Sequence, residues 1–323
     1  MITDIPLLSV KNLTKYFPAG EWRLFGERDS VKAVDGISFD VNSGDTLGIV
    51  GESGCGKTTA ARLILRLIPA TSGRVFFEGV DVFGMNINQL KTLRKRIQII
   101  FQDPFSSLDP RKTISHIISE PLVVHNVGNR HERKHAVAEL MERVGISQQW
   151  ANRYPHEFSG GQRQRIVIAR ALALNPNLVV CDEPVSALDV SIQAQVLNLL
   201  KELQRELSLT YLFISHDLSV VKHISSHIAV MYLGKIIELS KRDQLFDSPK
   251  HPYTQALLSA LPVPNPNAVK KRTILKGDVP NPINPPLGCR FHTRCPIVES
   301  RCRLEEPLMR ELDTNHTVAC HLA

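Results

Sequence analysis

The sequence predicts an α/β fold: a largely parallel sheet covered by helices, with an antiparallel β subdomain at the N-terminus, a helical subdomain in the middle and a proline- and cysteine-rich extension at the end. Three observations carry that prediction. Short runs rich in Ile, Val and Phe alternate with longer segments of helical period, as in a parallel sheet whose crossovers are helices. The first apolar segments alternate in polarity instead, the mark of an antiparallel sheet with one wetter face. Past residue 248 the texture changes to "SPKHPYTQALLSALPVPNPN" and "GDVPNPINPPLGC", where prolines remove backbone donors and discourage helix interiors and sheets.

Taken in order, "LLSVKNL", "AVDGISFDV" and "GRVFFEG" are the alternating strands. The stretch "FPAGEWRLFGERDSVK" (17 to 32) reads as a loop between the first two. Buried strands are predicted at "TLGIV" (46 to 50), "IQIIF" (97 to 101), "LVVCD" (178 to 182), "YLFIS" (211 to 215) and "IAVMY" (228 to 232). Residues 103 to 155 carry no strong strand signal, so a helical insert occupies about 103 to 170, with "DPFSSLDPR" as its turn-rich entrance. Ile192, Val196, Leu199, Leu200, Leu203 and Leu207 fall at helical spacing and form one stripe for packing on a sheet. Residues 1 to 247 are thus expected to form one domain and 248 to 323 an extension.

A chain of 323 residues, 43% hydrophobic and 22% charged, is of ordinary globular composition and has room for a substantial core. The start "MITDIPLLSVKNLTKY" lacks the basic, apolar and small-residue regions of a secretory signal, and no stretch approaches 18 uninterrupted apolar residues, so a cytosolic location is expected. The net charge of +7 is dispersed among intermixed acids, which argues against nucleic acid as partner and suits an anionic membrane surface equally well.

"GESGCGKTT" (51 to 59) follows an apolar strand and precedes "AARLILRLI", the strand, loop, helix context that a phosphate loop needs. Gly51, Gly54 and Gly56 let backbone N–H groups close around phosphate oxygens at a helix start, with Glu52, Ser53 and Cys55 between them. Lys57 adds a point charge on the outer phosphates, and the hydroxyl of Thr58, ahead of Thr59, is suited to Mg²⁺. "NLVVCDEP" ends a strand in two acids, where ligands of a parallel sheet lie. Asp182 is placed to hold Mg²⁺ and Glu183 to orient and deprotonate an attacking water. His216 ends a third strand, and Gln102, just after another, offers a neutral donor and acceptor to metal, water or γ-phosphate. A second anion cradle stands in "YPHEFSGGQRQRIVIARAL" (154 to 172), although Ser159 as a plain helix cap explains the same residue types locally.

As a set, these motifs make the chain resemble the ATP-binding subunits of ABC transporters, with a P-loop NTPase core of the ABC type. The matching motifs are the phosphate loop, Gln102, "FSGGQ" (158 to 162), Asp182 with Glu183, "SALD" (186 to 189) and His216. The resemblance implies ATP and Mg²⁺ as cofactors, Thr58, Gln102 and Asp182 as Mg²⁺ partners, and an aromatic stacked on adenine, Phe17, with Tyr16 as alternative. It implies catalysis by Glu183, His216, Gln102 and Lys57. Ser159, Gly160, Gly161 and Gln162 then serve the nucleotide held by a partner chain, two chains meeting head to tail. "SPKHPYTQALLSALP" and "NPINPPLGCRFHTRCP" look like the C-terminal region of ATPases of oligopeptide and dipeptide importers, most like the second of their two paired ATPases. The implied partners are a paralogous ATPase, two transmembrane permease subunits and, indirectly, an external solute-binding protein, with this chain peripheral on the cytoplasmic face of the membrane.

Cys289, Cys295, Cys302 and Cys320 fall in the last 35 residues, and a reducing compartment favours metal over disulfides there. Their spacing does not choose between zinc and an iron–sulfur cluster; the importer resemblance implies [4Fe–4S]. Unligated thiols packed as small apolar groups are the plain alternative, and Cys181 is expected in the core. ABC ATPases that act on nucleic acid or ribosomes, and adaptors that bind ATP without cleaving it, are the competing classes. A single cassette with a cysteine tail disfavours the first, and Glu183 and His216 disfavour the second.

Overall fold

The computed structural model describes residues 5–19, 29–261 and 275–323. The chain divides into two compact units, one of residues 1–42, 46–83 and 215–323, the other of residues 43–45 and 84–214.

The first unit starts with β1 (Leu8–Pro18) and β2 (Ser30–Val41), then β3 (Thr46–Val50), α1 (Lys57–Ile64), β4 (Ser72–Phe77) and β5 (Val80–Asp81). The strands β2, β1, β4 and β5 form an antiparallel sheet in that order. Its alternating strands put Leu8, Val10, Leu13, Val34 and Val75 inside while Lys11 and Asp40 pair outside at 3.0 Å. The strands reach into the stretch 17–32 predicted as a loop, β1 running through Phe17 and Pro18 and β2 beginning at Ser30; residues 20–28 lie outside the described part.

The second unit holds α2 (Ile87–Arg96), β6 (Ile97–Ile100), α3 (Pro104–Ser107), α4 (Ile114–Val124), α5 (Arg130–Arg143), α6 (Gly160–Leu172), β7 (Leu178–Asp182), α7 (Val190–Leu207) and β8 (Thr210–Ser215). β8, β7 and β6 run parallel. The apolar runs within β7 and β8 are the signature of strands covered on both faces, and every residue of these two strands is buried. Asp189 caps α7 by accepting from Ile192 N at 3.0 Å, and the predicted stripe turns Val196, Leu199, Leu200 and Leu203 inward. Between β6 and β7 the described chain is helical.

The chain then returns to the first unit with α8 (Leu218–Ile224), β9 (His227–Tyr232), β10 (Lys235–Lys241), α9 (Arg242–Asp247), α10 (Pro252–Ser259), α11 (Ser300–Leu304), β11 (Arg310–Asp313) and β12 (His316–Val318). β9 pairs in parallel with β3, and β10, β12 and β11 continue outward antiparallel. Here the expectation of a tail without helix or sheet needs correcting. Pro252 stands at the first position of α10, where its missing N–H costs nothing, and β11 and β12 are free of proline, so the edge of β10 recruits them. Tyr232, Tyr253, Phe291 and His251 pack ring on ring, with centroids 4.7 to 5.6 Å apart, and fix α10 and the extension onto β9.

Candidate nucleotide site and its comparisons

The phosphate loop joins β3 to α1 within the first unit. A Cβ on Gly51 would lie 2.1 Å from Met231 O and one on Gly56 2.0 Å from Ala33 O, so backbone crowds both positions and only glycine fits. Gly56, with φ 106°, is the residue before α1 and turns the chain into it. Lys57 Nζ lies buried along the loop, donating to Gly51 O at 2.8 Å and Glu52 O at 3.0 Å. Gly234 N donates to Cys55 O at 2.9 Å, tying the loop to the β9–β10 turn. Cys55 is buried beside Lys57, and burial pushes its thiol up, as befits a filler. Ser53 and Gly54 are exposed, and Thr58 and Thr59 half-buried in the first turn of α1.

In the second unit, Asp182 ends β7 and is buried, and Glu183 follows in the left-handed region with φ 49°. That conformation costs a β-carbon residue on the order of 1–3 kcal/mol and persists only where neighbours fix it. They do: Glu183 N donates to Ile214 O at 2.9 Å, Ser186 Oγ donates to Glu183 O at 3.1 Å, and Gln102 Nε2 donates to Glu183 Oε2 at 3.0 Å. The fold therefore brings two of the predicted residues, Gln102 and Glu183, into contact. His216 is exposed between β8 and α8.

Ser159 caps α6. Its hydroxyl accepts from Gln162 N at 3.3 Å while Gln162 Oε1 accepts from Ser159 N at 3.0 Å, a reciprocal capping box. A Cβ on Gly161 would lie 2.5 Å from Ile192 Cγ2, so this glycine lets α6 approach α7. Ser159 stays exposed and Gly160 half-buried, leaving the helix start open.

Of the two aromatics, Phe17 is 37% exposed with Lys15 Nζ 5.0 Å from its ring centre. Tyr16 is engaged: its hydroxyl donates to Asp35 Oδ1 at 2.5 Å. Burial and that bond push the phenol up to about 12. Burial works to raise Asp35 as well, but Tyr16 and the cations of Arg290 and Lys235 outweigh it and hold the carboxyl low.

Among the described residues no group of three His, Cys, Asp or Glu side chains is placed to hold a metal ion, the four cysteines of the extension included. Cys289 N donates to Cys302 O at 2.8 Å, so backbone pairing brings those two residues side by side. All four are free thiols; burial pushes Cys289 up to about 11, helped by the neighbouring charges of Cys302, Cys320 and Cys295, and burial raises Cys295 and Cys320 too. The thiols share one neighbourhood, and the backbone N–H groups of Phe291, Ile297 and Leu322, each two residues on, face the sulfurs of Cys289, Cys295 and Cys320.

Sequence reasoning missed the extension's grip on the loop. Arg294 donates to both Glu52 carboxylate oxygens, at 2.8 and 3.1 Å, and Glu52 N donates to Tyr253 Oη at 3.0 Å. Arg290 donates to Leu233 O and to Asp35. The arginines stand in "GCRFHTRCP", but no spacing rule ties them to a loop more than two hundred residues earlier.

A family model described as ABC transporter matches residues 34–186, and one described as the C-terminal region of oligopeptide/dipeptide transporters matches residues 237–302. An oligopeptide transport ATP-binding protein of Bacillus subtilis, AppF, is 55% identical over 319 residues, 98% of this chain and 97% of that one. The chain belongs to the ABC transporter family. This ABC ATPase is also 52% identical to a probable peptide ABC transporter ATP-binding protein of Sinorhizobium fredii, over 98% of its own length and 90% of the relative's. Among solved structures, the ATP-binding cassette MJ0796, seen as a dimer in a post-hydrolysis state with ADP and Pi, is 29% identical with a TM-score of 0.64, covering 73% of this ABC ATPase and 98% of that chain. The cbiO1 protein of Clostridium perfringens is 26% identical with a TM-score of 0.65, covering 75% and 91%. The fold is thus that of the ABC cassette, and the activity is ATP hydrolysis. No described helix is long and apolar enough to cross a membrane.

Proposed function

We propose that the chain hydrolyses ATP to energise import of di- or oligopeptides through the membrane subunits of an ABC transporter. The identity of 55% to an oligopeptide transport ATP-binding protein carries this reading, because it spans 98% of the chain and so includes the extension. Residues 1–247 act as the ATP-binding domain and 248–323 as an importer-type extension.

In the proposed chemistry, the loop from Gly51 to Thr59 and Lys57 hold the triphosphate, and Phe17 stacks on adenine. Glu183 accepts the proton of the attacking water, Gln102 orients it through the contact already made with Glu183, and His216 holds the γ-phosphate side. Thr58, Asp182 and Gln102 each carry a hard oxygen of the kind Mg²⁺ takes, and the ion, when bound, would neutralise charge on the phosphates. Ser159, Gly160, Gly161 and Gln162 complete the site of a second ATP-binding subunit, a paralogue, met head to tail. Two permease subunits, an external solute-binding protein and a peripheral position on the cytoplasmic face complete the proposal.

The finer proposal for the extension is a [4Fe–4S] cluster on Cys289, Cys295, Cys302 and Cys320, with Zn²⁺ as alternative. The N–H groups facing three sulfurs and the shared neighbourhood of the four support it, while their lack of convergence opposes it. Metal and acid-labile sulfide analysis of the purified chain decides among cluster, zinc and bare thiols. For the ATPase itself, Glu183→Gln is compared with wild type in the presence of the paired ATPase. Loss of turnover with ATP binding kept is expected; equal rates would remove Glu183 as base.

A further inference from the structure

On the basis of the ATP-hydrolysing function proposed above, we infer that Arg294 is a positioning residue of the nucleotide site, through which the C-terminal extension holds Glu52 and sets how tightly the phosphate loop takes a triphosphate. Glu52 is the second residue of that loop, and each of its polar ends is occupied. Its carboxylate receives two parallel bonds from Arg294, at 2.8 and 3.1 Å, a paired geometry that fixes direction as well as distance. Its N–H donates to Tyr253 Oη, and its C=O accepts from Lys57 Nζ at 3.0 Å and Cys55 N at 3.3 Å. Of these four partners, Arg294 and Tyr253 come from the extension, and Lys57 and Cys55 from the loop itself.

The guanidinium is itself pinned. Its side chain is 9% exposed and its carbon lies 6.0 Å from the centre of the Tyr232 ring, inside the aromatic cluster that seats α10. Four residues earlier, Arg290 binds Leu233 O and Asp35, and Asp35 N donates to Gly234 O at 2.8 Å. Gly234 N in turn bonds Cys55 O. The segment 289–295 therefore grips the loop directly at Glu52 and indirectly at Cys55.

Charge gives the grip a functional sign. A carboxylate at the edge of a triphosphate cradle opposes the anion, and Arg294 cancels it at contact distance in a half-buried place where solvent screens poorly. Removing Arg294 both releases the loop and exposes that carboxylate to the phosphates. A brace that served folding alone would change stability and leave nucleotide affinity untouched.

The test is equilibrium binding of MgATP and MgADP to the full-length chain, with steady-state ATPase alongside, for wild type, Arg294→Gln, Arg294→Lys, Glu52→Gln and the Glu52→Gln/Arg294→Gln pair. Circular dichroism confirms the folded fraction, and Lys57→Ala is the binding-dead control. Arg294→Gln is expected to weaken MgATP binding about tenfold, MgADP less, with KM rising more than kcat falls. Arg294→Lys should recover part, and the double variant should bind better than Arg294→Gln because the uncompensated carboxylate is gone. Should Arg294→Gln fail to fold, Glu52→Gln breaks the same pair from the loop side and is expected to leave the loop's charge relieved but its KM for ATP altered. Unchanged affinity and KM in both single variants, or a double variant no better than Arg294→Gln, would overturn the inference while leaving the ATPase proposal standing. Wild type that binds no MgATP overturns both.

Discussion

Glu238 offers the sharpest test of how the extension is attached. It lies on β10, fully buried, and its carboxylate accepts from Lys250 N at 2.7 Å, His251 N at 2.9 Å and His316 Nε2 at 2.8 Å. Those donors belong to the start of α10 and to β12, so one side chain fastens two elements of the tail to the sheet. Glu238→Ala leaves two backbone donors and an imidazole N–H in a dry interior with no acceptor. Each such orphan costs about 1–3 kcal/mol, and removing one member of a buried charge-assisted set costs about 3–5 kcal/mol in total. The thermal midpoint should fall by on the order of 10 °C. Glu238→Gln, which keeps one acceptor oxygen, should lose less. Thermal unfolding by circular dichroism gives the midpoints, and hydrogen exchange at Lys250 and His251 reports the local release. A loss under about 1 kcal/mol with both amides still protected would show that the tail is held by its aromatic cluster and not by Glu238.

Burial pushes His251 down to about 3 while Nδ1 accepts from Tyr253 N, so the folded chain keeps it neutral. Its contribution to stability is full above pH 6.5 and is lost as pH falls below that value, about 2 kcal/mol by pH 5; denaturant titrations across this range should show the slope, and His251→Asn, which keeps a helix cap, should flatten it. At the phosphate loop, Gly56→Ala meets backbone at 2.0 Å and should abolish nucleotide binding, whereas Gly54→Ala meets nothing within 4 Å and bears only the strain of φ 78°. Binding of the two variants measured side by side checks this, and equal losses would contradict the crowding read from Ala33 O.

Most of the cassette was legible because its signals are local. The buried strands at 46–50, 178–182 and 210–215 read as apolar runs, α7 as a stripe, and the phosphate loop as glycines between strand and helix. Strand ends were less legible, since β1 and β2 extend by pairing with each other into a stretch that reads as loop. The sheet edge in the tail was hidden by its prolines: β11 and β12 exist because β10 offers unpaired backbone, a tertiary cause with no local mark. Arg294 escaped notice for the same reason, its meaning residing in a contact with Glu52 and not in its neighbours in sequence. The cysteines were the opposite case. Their number suggests a ligand set, whereas among the described residues no three such side chains are grouped to hold a metal ion, although backbone pairing brings residues 289 and 302 together.

The phosphate loop and the "FSGGQ" helix start are proposed as two anion cradles on one chain, with turnover needing the second cradle from a partner. The most direct measurement is ATP turnover per chain over a wide range of protein concentration, with the paired ATPase present and absent, for wild type and Ser159→Arg. Turnover should climb steeply as chains associate, and Ser159→Arg should suppress it although that variant's own loop still binds ATP. A dilute monomer that hydrolyses ATP at the full rate, or a Ser159→Arg chain as active as wild type, would contradict the shared site.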